Sequence, residues 1–220
     1  KKLFRCSYAD VRPTAGTTAN MAIFKALIKP GEPATVLDTA NGAHISFGRW
    51  GAAGVRGVNL ISYPFNDEVM NIDVDGAVKL IKKEKPKLAL CGRSVFLFPS
   101  PIQEIADAAH NVGAILIYDA AHVLGLIGGK RFQDPLREGA DVMTGSTHKT
   151  LPGPQGGMIL SDHKGDTEED KKFLRKLGFG VFPGVTSSYH LHHVAAKAID
   201  LAKKLFRCSY ADVRPTAGTT

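Results

Sequence analysis

Lys149 stands in the run Ser146-Thr147-His148-Lys149-Thr150, with Leu151-Pro152-Gly153-Pro154-Gln155-Gly156-Gly157 directly behind it. A lysine among small hydroxyls and a histidine, followed by a glycine-proline turn, is a candidate Schiff-base former. Partial desolvation lowers the pKa of such an ammonium and frees the amine to attack a carbonyl. About 30 residues upstream, an apolar run ends in Tyr118-Asp119-Ala120-Ala121-His122. A carboxylate at the C-terminal end of a strand lies where α/β folds gather their ligand sites. An amine and an anion so placed match the needs of pyridoxal phosphate (PLP), which takes an attachment at its carbonyl and a counter-charge at its pyridinium nitrogen.

A third feature suits the same cofactor. Ala15-Gly16-Thr17-Thr18 leads into an apolar helical pattern. Glycine and hydroxyls at a helix N-terminus make a phosphate cradle, because the first backbone N–H groups have no partner within the helix.

The elements around these residues alternate. Ala19 to Ile28 reads as a helix ending near Pro30-Gly31, and a strand begins at Thr35-Val36-Leu37. Another strand runs from Val58 to Tyr63. Asp73 can cap a helix reaching about Lys82, since Val74, Ala77, Val78 and Ile81 keep helical spacing. Leu88 to Cys91 is a buried strand, and Pro101 to Asn111 a helix with proline in its first turn. Ala114 to Tyr118 is continuously apolar, as in a strand covered on both faces. Ala140 to Thr144 and Met158 to Leu160 are strands flanking the lysine segment, and 188–204 is expected to be a long closing helix. The mixed-charge stretches 79–87 and 166–176 read as solvated helix faces. The alternation predicts an α/β fold, a mostly parallel sheet flanked by helices.

Residues 203–220 repeat residues 1–18 letter for letter. Structural repeats drift and recur along a chain, so this pair is read as an artificial duplication, and 1–202 as a single domain. Each copy adds +3, so discounting one leaves +4 of the formal net charge of +7. With the remaining cations interspersed among acids, nucleic-acid binding is not expected. The three cysteines reduce to two distinct ones, too few for a disulfide framework. No apolar run reaches the roughly 18 residues needed to span a bilayer, and the opening shows no signal-peptide pattern. A reducing, cytoplasmic setting is the default.

From about Tyr8 to Leu205, and above all at Asp119-x-x-His122 and Thr147-His148-Lys149-Thr150-x-x-Gly153-Pro154-x-Gly156-Gly157, the chain resembles the serine hydroxymethyltransferases. These are PLP enzymes of the aspartate-aminotransferase-like fold (fold type I). The resemblance implies PLP as cofactor, a reduced folate or related pterin as co-substrate, and serine and glycine as substrates, with a homodimer sharing its sites. Lys149 matches the family's Schiff-base lysine, Asp119 the partner of the pyridine nitrogen, and His122 a histidine near the phenolic oxygen and the lysine. His44, in Asn41-Gly42-Ala43-His44-Ile45-Ser46, matches the histidine that stacks on the ring. Gly16 and Thr17 fall at the phosphate turn, and Ser94 at a serine near the cofactor's oxygen. Ser146 and Thr147 become neighbours of the phosphate and the lysine.

The chain also departs from the family. Gln155 stands where many members have arginine, and Phe182-Pro183-Gly184-Val185-Thr186-Ser187-Ser188 replaces a glycine-rich run that meets the neighbouring subunit's phosphate. Ser187 and Ser188 keep hydroxyls for that phosphate, and the changes suggest a divergent branch using a different reduced pterin. Nothing matches the family's N-terminal arm, with its tyrosine and glutamate, or its small domain, with the arginine that binds the substrate carboxylate. The sequence therefore looks like the large, cofactor-binding domain, expected to bind PLP weakly and turn over poorly by itself. Two alternatives stay open. One is another fold-type-I PLP enzyme (aldolase, aminotransferase or desulfurase), and the other a non-catalytic protein of this fold that works by binding.

Overall fold

The computed structural model describes residues 1–188 except 96, together with 191, 192, 195, 196 and 199. In chain order the elements begin with β1 (Tyr8–Asp10), α1 (Gly16–Leu27), β2 (Pro33–Val36), α2 (Ala52–Arg56) and β3 (Asn59–Ser62). A two-stranded hairpin, β4 (Phe65–Asn66) and β5 (Asn71–Ile72), leads to α3 (Val74–Glu84), β6 (Leu88–Cys91), α4 (Ile102–Asn111) and β7 (Ile115–Asp119). The described chain continues through α5 (Leu124–Gly128), β8 (Val142–Ser146), β9 (Gly157–Ser161) and α6 (Glu168–Val181). Of the helix expected over 188–204, residues 191, 192, 195, 196 and 199 are described and are helical. The second copy of the repeat lies outside the described residues.

Seven strands form one sheet in the order β1-β9-β8-β7-β6-β2-β3. Strands β3, β2, β6, β7 and β8 are parallel, whereas β9 is antiparallel to both β8 and β1. The reversal of β9 has a physical cause. A parallel return requires a crossover of a dozen or more residues, and the lysine segment between Ser146 and Gly157 is too short and holds no helix.

Side chains on a strand alternate between faces, and that parity sorts the core. Leu116 and Tyr118 of β7 join Ala89 and Cys91 of β6 in a cluster with Ile81 of α3 and Ile102 and Ile105 of α4. Ile117, Leu88, Leu90 and Val142 face the other way, onto Ile23, Phe24 and Leu27 of α1 and Leu177 and Val181 of α6. Burying a side chain such as Phe24 or Ile23 contributes about 2–3 kcal/mol. By the same parity Asp119, Thr144 and Ser146 belong on the α1 side.

Several boundaries differ from expectation, two of them at helix starts. Helix α1 begins at Gly16, three residues earlier than its apolar pattern suggests, which makes the phosphate-cradle glycine its first residue. Pro101 is the N-cap of α4 rather than a residue of its first turn. With no N–H to donate, proline is as well accommodated one position earlier. The Asp73 cap is as expected, its side chain accepting from Gly76 N at 3.2 Å.

Candidate active site

The candidate residues collect beyond the C-terminal ends of β2, β6, β7 and β8. Asp119 is the last residue of β7 and only 4% exposed. Its Oδ2 accepts from Asn20 Nδ2 at 2.8 Å and its Oδ1 from Ala121 N at 2.9 Å. Among the described residues it makes no ion pair. A buried carboxylate is ordinarily paired, and this one keeps acceptor capacity for a cationic N–H donor.

Lys149 lies three residues past β8, half-buried, with Nζ 3.1 Å from His122 Nε2. Thr150 anchors the lysine loop, its hydroxyl donating to His122 O at 2.8 Å and accepting from Gly125 N at 3.2 Å. Burial, seconded by the positive charge of Lys149, lowers the pKa of His122 against the opposing pull of Asp119. His122 is therefore neutral near pH 7. An ammonium at Lys149 then donates to the Nε2 lone pair, and a proton leaving the lysine has a base within reach.

The ring of His44 lies 6.2 Å from that of His122, centroid to centroid, at 46°. Burial also lowers the pKa of His44, with Asp119 opposing and Lys149 reinforcing. The His44 loop is stapled to the Ser94 loop, since Gly42 O accepts from Ser94 N at 2.8 Å and from Val95 N at 3.1 Å. The hydroxyl of Ser94 is buried and has no hydrogen-bond partner among the described residues.

Gly16 opens α1 against the end of β8. A Cβ built on it would stand 3.4 Å from Ser146 Cβ and 3.7 Å from Ala121 Cβ. Ala15 supplies no capping side chain, so the first-turn N–H groups are open to an anion, with roughly half a positive charge from the helix dipole behind them. Thr17 is exposed on that turn, and Ser146 is buried beside it. Thr147 does something else. Its hydroxyl donates to Pro154 O at 2.7 Å and shapes the turn behind the lysine. Ser187 and Ser188 are exposed beyond α6 and, among the described residues, make no hydrogen bond to the other candidates.

Three members of the cluster carried no signal by motif. Asn20 bonds Asp119 and also donates to Ser46 Oγ at 2.9 Å, while Thr144 Oγ1 donates to Asn20 Oδ1 at 2.7 Å. Ser46 in turn lies 2.7 Å from His44 Nδ1. A helical pattern did contain a hint. Asn20 falls on the same stripe as Ile23, Phe24 and Leu27, and a polar residue on a buried face must have a partner.

Elsewhere, a concavity at the N-terminal edge of the sheet holds Asp141, His163 and Asp170. Its groups satisfy one another, with His110 Nε2 3.0 Å from Asp141 Oδ2 and His163 Nδ1 2.6 Å from Asp170 Oδ1.

The donor set at the strand ends fits PLP. Among the described residues it comprises a half-buried amine next to a base, a buried carboxylate without an ion pair, a helix N-terminus without a side-chain cap and a hydroxyl without a hydrogen-bond partner. Comparison with known proteins agrees. Residues 1–213 match the family model described as serine hydroxymethyltransferase. A serine hydroxymethyltransferase of Thermococcus gammatolerans is 55% identical over 204 residues, covering 93% of this chain and 47% of its own length. That of Pyrococcus furiosus is 53% identical over the same length, with the same coverage. That of Methanosphaera stadtmanae is 49% identical over 213 residues, covering 96% of this chain and 49% of its own length. The chain spans about half the length of the curated relatives it matches. Half its length notwithstanding, a fold-type-I sheet with the lysine and carboxylate at its strand ends, matched almost end to end by these relatives, makes the chain a member of the serine hydroxymethyltransferase family.

Proposed function

We propose that this chain forms the PLP-binding part of an enzyme that interconverts serine and glycine, passing the hydroxymethyl carbon to a reduced folate or related pterin. The observation that carries the reading is the pairing of Lys149 Nζ with His122 Nε2 at 3.1 Å beside a buried carboxylate that forms no ion pair among the described residues. Bound PLP supplies an electron sink that weakens the bonds at an amino acid's α-carbon.

The chain's own residues do the rest. Lys149 holds the cofactor through its amine, and His122 accepts the lysine's proton at Nε2. Asp119, fixed by Asn20 and Ala121, keeps a proton on the ring nitrogen. Gly16, Thr17 and Ser146 hold the phosphate at the start of α1, His44 fixes the ring plane, and Ser94 offers its hydroxyl to the cofactor's oxygen. Thr147, beside the lysine, shapes the turn that carries Lys149.

The active unit we infer is a homodimer in which Ser187 and Ser188 reach the partner's phosphate. In support, Val95 (72% exposed), Leu97 and Phe98 on the Ser94 loop and Ile45 and Trp50 near His44 leave apolar surface uncovered around the site. Cys6 and Cys91, both buried free thiols, fit a reducing, cytoplasmic setting. No helix among the described residues is long and apolar enough to cross a membrane.

Loss of the glycine α-proton signal in heavy water tests the reading. With PLP present, slow exchange is expected in the wild-type chain and none in Lys149→Ala, and a chain extended by the family's remaining segments should also yield glycine from serine when a reduced pterin is added. Conversion of glycine to glyoxylate at a comparable rate would point instead to an aminotransferase.

A further inference from the structure

We propose that Asn20 is a positioning residue whose amide orients the Asp119 carboxylate and, through Ser46, holds His44 as the neutral tautomer with its proton on Nε2. The proposal deepens the PLP reading and rests on it for the meaning of the site, although the hydrogen bonds that carry it belong to the chain alone.

The direction of every bond in the chain of contacts is set by chemistry. The side chain of Asn20 is 1% exposed, and its two N–H bonds point at Asp119 Oδ2 (2.8 Å) and Ser46 Oγ (2.9 Å). The flipped amide would set its carbonyl against a carboxylate, two acceptors face to face. Thr144 donates to Asn20 Oδ1 at 2.7 Å and locks the orientation. Because Ser46 Oγ accepts from Asn20, its own hydrogen is directed toward His44 Nδ1 at 2.7 Å. The backbone N–H of Ser46 also donates to Nδ1, at 3.1 Å. Two donors converging on Nδ1 leave no room for a proton there, so the proton of a neutral His44 sits on Nε2.

This arrangement has a consequence for charge. The groups around His44 are Asp119, Lys149, His122 and Ser46. An imidazolium at His44 would draw on the Asp119 carboxylate, whereas a neutral ring leaves that anion for the cofactor's nitrogen. Burial acts in the same direction by disfavouring the charged ring.

Long-range proton–nitrogen NMR on the ring-15N-histidine chain, without PLP, reads the tautomer directly, with His44 assigned by its loss in His44→Gln. At pH 7.5 the expected spectrum shows Nδ1 unprotonated and Nε2 protonated. Asn20→Ala frees the Ser46 hydroxyl to reverse, giving a mixed tautomer and an upward shift of the His44 titration midpoint. Asn20→Asp presents acceptors in place of donors, so it draws the Ser46 hydroxyl hydrogen away from Nδ1, leaves only the backbone N–H of Ser46 facing that nitrogen, and raises the Nδ1-protonated share above that of Asn20→Ala. A packing role alone would not order the two variants this way. Ser46→Ala, which removes one hydroxyl and is the mildest change, should also raise the midpoint. A proton on Nδ1 in the wild-type chain overturns the proposal before any variant is made. An unchanged His44 in Ser46→Ala overturns it as well, even if neither Asn20 variant folds. Adding PLP afterwards separates the two ideas, because absence of a lysine-dependent absorbance band would sink the cofactor reading and leave the relay standing.

Discussion

Gly92 follows β6 with φ +95°, and a Cβ built there would stand 2.1 Å from Asp119 O and 2.7 Å from Asp119 N, where ordinary contact begins at 3.4 Å. The obstacle is backbone on both counts, so no side-chain rotation relieves it. Gly92→Ala therefore forces the end of β7 to retreat by more than 1 Å, and Asp119 moves with it. A left-handed non-glycine residue costs about 1–2 kcal/mol, and overpacking adds about 1–3 kcal/mol, for a central expectation near 3 kcal/mol. Gly113 provides the control. It also has positive φ (+75°), but nothing lies within 4 Å of its built Cβ, so Gly113→Ala should show the conformational cost alone. With a urea m value of about 2 kcal/mol/M, Gly92→Ala lowers the unfolding midpoint by roughly 1.5 M and Gly113→Ala by less than about 1 M. Gly92→Ala should also weaken PLP uptake while Gly113→Ala leaves it intact. Equal midpoints for the two variants would refute the close-approach argument, and normal PLP uptake in Gly92→Ala would refute its link to Asp119.

Thr35, fully buried, donates to Tyr63 Oη at 2.8 Å. Tyr63→Phe should cost about 1–3 kcal/mol by stranding that hydroxyl, and adding Thr35→Val should restore most of the loss. A double variant no more stable than the single would count against this account. Stability should decline as pH falls below about 6.5, the ordinary histidine value, because burial lowers the pKa of His44 and His122 in the folded chain. The unfolded chain then binds protons first, so acid favours unfolding. Urea midpoints at pH 7.5 and 5.5 should converge in the double variant His44→Gln, His122→Gln, and an undiminished gap would assign the pH dependence to other groups. Asp119→Asn keeps the shape of the site but removes its anion. It should slow glycine α-proton exchange on the order of 10²-fold while the lysine-dependent absorbance band persists, and wild-type exchange would remove Asp119 from the ring nitrogen.

The sequence carried the ends of the site better than its middle. Lys149, Asp119 and His122 were legible because a reactive amine, a strand-end carboxylate and a glycine-proline turn are local features. The parallel strands β2, β6, β7 and β8 were legible from short apolar runs alternating with helical spacing. The reversal of β9 was implicit in the short lysine segment that precedes it. The relay from Thr144 through Asn20 to Ser46 was not legible, because its bonds join residues 124, 99 and 26 positions apart. Only the polar intrusion at Asn20 on a buried helical stripe announced it. The resemblance made Thr147 a neighbour of the phosphate and the lysine, and what the motif could not convey is that its hydroxyl fastens Pro154 and Gly156. A motif fixes which residues meet a loop, and packing decides which way each hydroxyl turns.

The most direct test of the cofactor site is an absorbance spectrum of the purified chain with PLP, recorded before and after borohydride, for the wild type and Lys149→Ala. The account predicts a band in the wild type that borohydride fixes irreversibly to the protein and that Lys149→Ala lacks. A band of equal strength in Lys149→Ala, or none in a folded wild-type chain at saturating PLP, would contradict it.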